Sequence, residues 1–221
     1  MTATSTSTLA DLAVTHPAAA RVFYRHGLDF CCGGRRPLAD ACAERGLDPD
    51  AVLAAIDRED TVNGQGRRWD REPLADLVDF IVGTYHRRLR EAFPELLRMA
   101  AKVEARHAAN PHCPAGLVAQ LTAMHHDVLE HLAKEEGVLF PLILSGQGRM
   151  ASGPVQVLER EHVAHAHDLH TIRQLTHDLQ PPAEACATWR ALYIGLQALE
   201  QELMVHIHLE NNVLFRRALV A

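Results

Sequence analysis

Two stretches of this chain place an imidazole and a carboxylate one helical turn apart. His131 to Phe140 reads H-L-A-K-E-E-G-V-L-F and His206 to Phe215 reads H-I-H-L-E-N-N-V-L-F, an offset of 75 residues. In a helix, residues four apart share a face, so His131 pairs with Glu135 and His206 with Glu210. Those faces are otherwise apolar: Leu121, Met124, Val128, Val138 and Leu142 surround the first pair, and Leu196, Leu199, Leu203 and Val213 the second. A buried polar group without a partner costs about 1–3 kcal/mol or more. A metal ion would satisfy imidazole and carboxylate together.

The same repeat sorts the remaining histidines. An offset of 76 relates His162 to His86, each inside its own apolar stripe: Val78, Val82, Leu89 and Phe93 around one, Val155, Leu158, Leu169 and Ile172 around the other. His125 meets Glu200 at the offset of 75, but outside any matching pattern. Of 15 histidines, four pass this filter. The candidate ligands are therefore His86, His131 and Glu135 in one half, and His162, His206 and Glu210 in the other.

Four imidazoles and two carboxylates suit two metal ions better than one, with two His per ion and the Glu side chains free to bridge. A nitrogen and oxygen donor set with open positions for water, oxo or a diatomic ligand points to non-haem iron rather than to the Cys-rich, closed tetrahedral sites of structural zinc. Manganese is a second choice. The bland alternative is a set of buried side chains hydrogen-bonded to one another. The ferritin-type di-iron pattern is Glu-x-x-His, so the His-x-x-x-Glu order indicates a different bundle.

The elements that must position these residues are helices. The 221-residue chain is 48% hydrophobic but only 5% aromatic, rich in Ala and Leu and without β-rich runs, which fits an all-α fold of one or two domains. Beyond Asn63-Gly64-Gln65-Gly66, which reads as a linker, four amphipathic segments run over about 72–106, 113–145, 152–178 and 182–219. Ser152 is expected to cap the third. Short breaks separate the segments, so they are expected to form an up-and-down four-helix bundle over 67–221, with one ligand set per helix. Residues 1–62 read as a small helical domain. Thr15-His16-Pro17 opens one helix there, which Gly27 stops, and Pro37 and Pro49 open two more.

A net charge of −6 gives no reason to bind nucleic acid, and the short arginine pairs read as solvated surface. The first residues lack a signal-like pattern and no run is long enough to span a membrane, so the cytoplasm is expected. There the five cysteines read as thiols, ligands or redox groups rather than structural disulfides. Cys31 and Cys32 stand out in Asp29-Phe30-Cys31-Cys32-Gly33-Gly34. The motif is either a bare turn or a redox and metal-delivery element, because a vicinal disulfide is strained and labile. Cys42, Cys113 and Cys186 read individually as core or surface residues.

Several neighbours of the ligands receive ordinary readings. Glu136 lies about 100° round the helix from Glu135 and is expected to be solvated. His125, His126, His167, His170, His177 and His208 are expected to be exposed or partly buried, His107 and His112 to flank a bundle end, and His165 to be a candidate supporting residue one turn from His162.

Taken together, Asp29–Gly34, Tyr85-His86, the K-E-E-x-V-L-F-P of 134–141, Glu161-His162 and the H-x-H-L-E-N-N-V-L-F of 206–215 resemble the iron-sulfur cluster repair di-iron proteins, the repair of iron centres family. The resemblance covers nearly the whole chain. It implies a hemerythrin-like bundle behind a small N-terminal domain, two oxo- or hydroxo-bridged non-haem irons, a role in restoring iron-sulfur clusters damaged by oxidative or nitrosative stress, and often a homodimer. Damaged iron-sulfur proteins are then the partners, and O2 or NO the small ligands. Two rivals stay open: a di-iron nitric oxide or oxygen reductase, and an O2 or NO sensor. Arg216 departs from the pattern, where the first copy has Pro141.

Overall fold

The structure, a computed structural model, describes residues 3–63 and 66–220. Gly64 and Gln65 of the expected linker lie outside the described residues. Helices dominate and no strand occurs among the described residues, only an isolated bridge between Thr8 and Pro37. The all-α expectation holds.

The chain forms two compact units. One comprises the residues up to Val78 together with those from Met204 onward; the other runs from Asp79 to Leu203. The first contains α1 (Leu9–Thr15), α2 (Ala19–Arg25), α3 (Leu38–Arg45) and α4 (Pro49–Asn63). Thr8 caps α1 by accepting a hydrogen bond from the Asp11 N–H at 3.1 Å. This helix escaped the sequence reading, because seven residues give too few turns for a period to register. Consequently Thr15 ends a helix instead of starting one, and α2 begins at Ala19. Gly27, at φ 65°, stops α2 as expected, and Pro37 and Pro49 open α3 and α4. Leu9, Leu12, Val22, Phe23, Phe30, Leu38 and Ile56 form the core of this unit, with Met204 and Val205 packed on it.

The long helices follow. α5 covers 74–107, α6 covers 117–144, α7 is Ser152–Leu175 and α8 covers 187–218. Within the second unit α5 packs on α6 and α6 on α7. The 187–203 part of α8 is tied to α7 by Arg173, whose guanidinium donates twice to Glu200 at 2.6 Å, and to α5 by Arg88 and Glu202 at 3.0 Å. Gly195 lets α8 approach α5 closely, since a Cβ there would lie 2.7 Å from Leu96 Cδ2. Ser152 is the first residue of α7 but makes no capping hydrogen bond, and α7 ends at Leu175, short of Asp178, where His177, Asp178 and Leu179 turn to positive φ.

Three of the four long helices contain a π-helical turn: Ile81–His86 in α5, Glu135–Leu139 in α6 and Leu209–Leu214 in α8. Such turns insert a residue and shift the helical phase. The expected apolar stripe in α6 therefore fails beyond Glu135: Val138 is 50% exposed and Leu142 half-buried, while Leu139, Phe140 and Ile143 are buried. In α5 the same shift buries Ile81 in place of Val82. The unbroken α7 keeps its expected stripe of Val155, Leu158, Leu169 and Ile172.

Between α2 and α3 the Asp29–Gly34 turn is built around a carboxylate. Asp29 Oδ1 accepts from the N–H groups of Cys31 and Cys32 at 3.1 and 3.0 Å, and Oδ2 from that of Gly33 at 2.9 Å. The glycines are sterically required: a Cβ on Gly33 would meet Asp29 Oδ2 at 2.8 Å, and one on Gly34 the Phe30 carbonyl at 2.4 Å. Gly34→Ala is therefore expected to destabilise the protein by about 1–3 kcal/mol through forced displacement of the turn. Chemical denaturation read beside the alkylation rate of Cys31 checks this, and unchanged values of both would show that the turn yields freely.

Candidate metal centre

Each π turn sits where a candidate ligand projects, and in two cases the repeated motif encodes it. The Phe140 N–H reaches back five residues to the Glu135 carbonyl, and the Phe215 N–H does the same to Glu210. The Glu and the Phe of each Glu-x-x-Val-Leu-Phe run thus close one wide turn. In α5 the Arg87 N–H bonds the Val82 carbonyl, placing His86 at the end of the turn. Widened turns of this kind are frequent at functional sites.

In the second unit four of the six candidate ligands converge, all buried: His86, His131, Glu135 and His162. Glu135 Oε2 lies between two imidazole nitrogens, 3.4 Å from His86 Nε2 and 3.5 Å from His131 Nε2. Neither Glu135 oxygen has a hydrogen-bond partner among the described residues. His131 Nε2 and His162 Nε2 approach to 3.0 Å, and the donor atoms of His131, Glu135 and His162 all lie within 4.8 Å of one another. A fully buried carboxylate with no donor is costly, by several kcal/mol if charged. A cation held by these donors removes that cost, so the residues fit a metal. In the first unit His206 and Glu210 are also buried, with His206 Nε2 and Glu210 Oε1 2.7 Å apart.

Carboxylates fix how two of the imidazoles face the site. His86 Nδ1 lies 2.7 Å from Glu136, and His131 Nδ1 lies 2.9 Å from Glu161. With Nδ1–H donating outward, Nε2 keeps its lone pair for the cluster. Burial works to raise the Glu136 carboxyl, but hydrogen bonds with His86 and Arg90 outweigh it and hold the group below its ordinary range. Burial and hydrogen bonds from Lys134 and His131 act on Glu161 in the same opposed way, with the same net direction.

The expectation of a solvated Glu136 is thereby corrected. Its 100° step from Glu135 turns it onto the seam between α6 and α5, where His86 and Arg90 meet it. Glu161 was visible only as the neighbour of His162. His165 is buried and sets its ring edgewise against His131, with centroids 5.2 Å apart. His125, His126, His167, His170 and His177 are at most partly buried, as expected. His208 is not: it is buried against Phe30, at 5.7 Å between centroids, and burial holds its imidazole down at about 4. Periodicity missed this, because His208 lies off the ligand face yet within the N-terminal core.

Cys31 and Cys32 belong to the first unit and are not disulfide-linked, with sulfurs 3.8 Å apart. Cys31 is buried and Cys32 partly exposed. A hydrogen bond with Cys32, then burial and the negative charge of Asp29, push the Cys31 thiol well up. The turn that carries them meets the second ligand motif: the Asn211 amide donates to the Cys31 carbonyl at 3.3 Å, and that of Asn212 to the Phe30 carbonyl at 3.1 Å. Arg216, the departure from the first copy, donates to Asn212 Oδ1 at 3.2 Å.

Comparison with known proteins gives two domain matches. Residues 5–60 match the ScdA_N domain of unknown function, and residues 69–218 match the hemerythrin HHE cation binding domain. Over 211 residues the chain is 46% identical to the iron-sulfur cluster repair protein YtfE of Yersinia pseudotuberculosis serotype IB, with 96% of each chain covered. The protein of the same name from Yersinia pestis strain Pestoides F matches to the same extent.

The hydrogen bonds to His86 and His131 predict graded effects. Glu136→Ala and Glu161→Ala are each expected to weaken metal retention by roughly 10–100-fold, and Glu135→Ala, which removes a carboxylate of the cluster itself, to weaken it further. Metal content after dialysis against graded chelator measures this. Retention equal to the parent's in both Glu136→Ala and Glu161→Ala would show that the carboxylates do not orient the imidazoles.

Proposed function

Because this chain belongs to the iron-sulfur cluster repair family, with an N-terminal ScdA_N domain and a hemerythrin HHE cation binding domain, we propose that it is a di-iron protein that repairs, or supplies iron to, damaged iron-sulfur clusters. The observation that carries the reading is the buried Glu135 carboxylate, which faces His86 and His131 and has no hydrogen-bond partner among the described residues. We assign His86, His131, Glu135, His162, His206 and Glu210 as the ligands. The internal repeat supports the set of six, as does the single hemerythrin match across 69–218, which contains them all. Division of the chain near the 63–66 linker belongs to the same proposal and agrees with the limits of the two family matches.

Bound iron would supply a redox-active, exchangeable metal pair open to small ligands such as O2 or NO. The residues do the rest. Glu136 and Glu161 hold the His86 and His131 rings with Nε2 toward the site, and the apolar faces of the helices restrict water. Cys31 and Cys32, on a turn braced by Asp29, serve delivery or redox at the first unit. No helix among the described residues is long and apolar enough to cross a membrane. The cytoplasm, damaged iron-sulfur proteins as targets and a homodimeric state complete the proposal.

Two variants test it. The iron-loaded protein is expected to restore activity to an iron-sulfur enzyme inactivated by peroxide or NO, and His131→Ala to fail. Cys31→Ser combined with Cys32→Ser should retain the iron content and visible spectrum of the parent but lose most of the reactivation. Steady NO consumption with an electron donor, without reactivation of the target, would contradict repair and favour a reductase. Full repair by the double Ser variant would reduce the Cys pair to a structural turn.

A further inference from the structure

The second ligand motif and the Cys turn meet through two carboxamides that lie outside the proposed ligand set. Asn211 and Asn212 directly follow Glu210 on the π turn Leu209–Leu214. Their side chains turn away from the ligand and donate to successive carbonyls of the Cys turn, Cys31 and Phe30. Asn212 is buried and held from three sides: its amide lies 3.0 Å from His208 Nδ1, its carbonyl oxygen accepts from Arg216, and the Phe30 carbonyl receives its other hydrogen bond. Phe30 in turn packs on His208 and Phe23, which ties the start of the Cys turn into the unit's core. The turn is thus fixed internally by Asp29 and externally by two residues adjacent to a metal ligand.

We infer that Asn211 and Asn212 are positioning residues that couple Cys31 and Cys32 to occupancy of the metal ligand Glu210. The inference rests on the reading that Glu210 holds metal. A cation bound to Glu210 pins the π turn, the pinned turn holds the two carbonyls, and the held backbone keeps Cys31 in its closed, buried position. Without metal the π turn is freer, and with it the Cys turn. Coupling is reciprocal, so displacing the Cys turn, as a docking target would, loosens the grip on the metal. Metal release is in this way tied to engagement of the Cys pair rather than left to free exchange.

The experiment measures alkylation of Cys31 by iodoacetamide, followed by peptide mass spectrometry, on the full chain in metal-free form and after anaerobic loading with ferrous iron and removal of loose metal. In the parent, loading is expected to slow Cys31 modification about tenfold, within the usual range of coupling between sites. Asn211→Asp with Asn212→Asp preserves size but removes both donors. That variant is expected to keep the parent's helicity and to fill with iron at saturating ferrous ion while its loaded and metal-free rates become equal. Asp29→Ala, which frees the turn internally, should react fast in both states. If the double variant does not fold, Asn211→Asp alone, removing one exposed-side hydrogen bond, should give an intermediate ratio. With every variant held saturated with ferrous iron, a ratio unchanged by Asn211→Asp would overturn the inference. An iron-binding parent with equal rates overturns the coupling alone, whereas a parent that binds no iron overturns the metal reading with it.

Discussion

The arrangement depends on one buried carboxylate. Glu135 is completely enclosed, has no hydrogen-bond partner among the described residues, and aims one oxygen between the Nε2 atoms of two imidazoles. A protein interior does not stably hold that group charged and alone. Protonation would remove the charge but leave both Glu135 oxygens without a hydrogen-bond partner among the described residues, beside the His131 and His162 rings that meet at 3.0 Å. A metal ion compensates the buried charge and engages the carboxylate and the imidazoles together. The surrounding structure reads as support for that requirement: Glu136 and Glu161 orient the rings from behind, and the π turn that opens at Glu135 resets the apolar seam beyond it.

Those π turns divide what the sequence discloses from what it does not. The convergence of His86, His131, Glu135 and His162 was legible because the duplication repeats these residues, and repetition identifies side chains without knowledge of the helical phase. The packing around them is not legible by period alone. A constant 100° step carries Val138 into the apolar seam, whereas the wide turn from Glu135 to Phe140 puts Leu139 there and leaves Val138 half-exposed. Where the helix is unbroken, around His162, periodicity gives the right buried residues. Long elements, proline starts and the Gly27 stop were likewise readable, while the seven-residue α1 was too short to show a pattern.

The N-terminal unit adds a second lesson about spacing. Asp29-Phe30-Cys31-Cys32-Gly33-Gly34 announces a tight turn through its glycines, and the reason is steric: Gly34 leaves no room for a Cβ beside the Phe30 carbonyl. Its contact with Asn211 and Asn212 joins residues some 180 positions apart in the chain, and no local pattern could have revealed it. His208 was misread for the same reason. Its burial comes from Phe30 and the N-terminal core rather than from the helix face it shares with its neighbours.

The central claim is that the buried cluster needs metal to be stable, and calorimetric unfolding during anaerobic titration with ferrous iron tests it most directly. Ligation that favours the folded state at a hundredfold excess over Kd contributes about 2.7 kcal/mol per site, which for a domain of this size corresponds to roughly 5–10 °C. The account predicts saturation at two ions per chain with the unfolding temperature rising in step. An unfolding temperature indifferent to iron, with no saturable uptake, would contradict it.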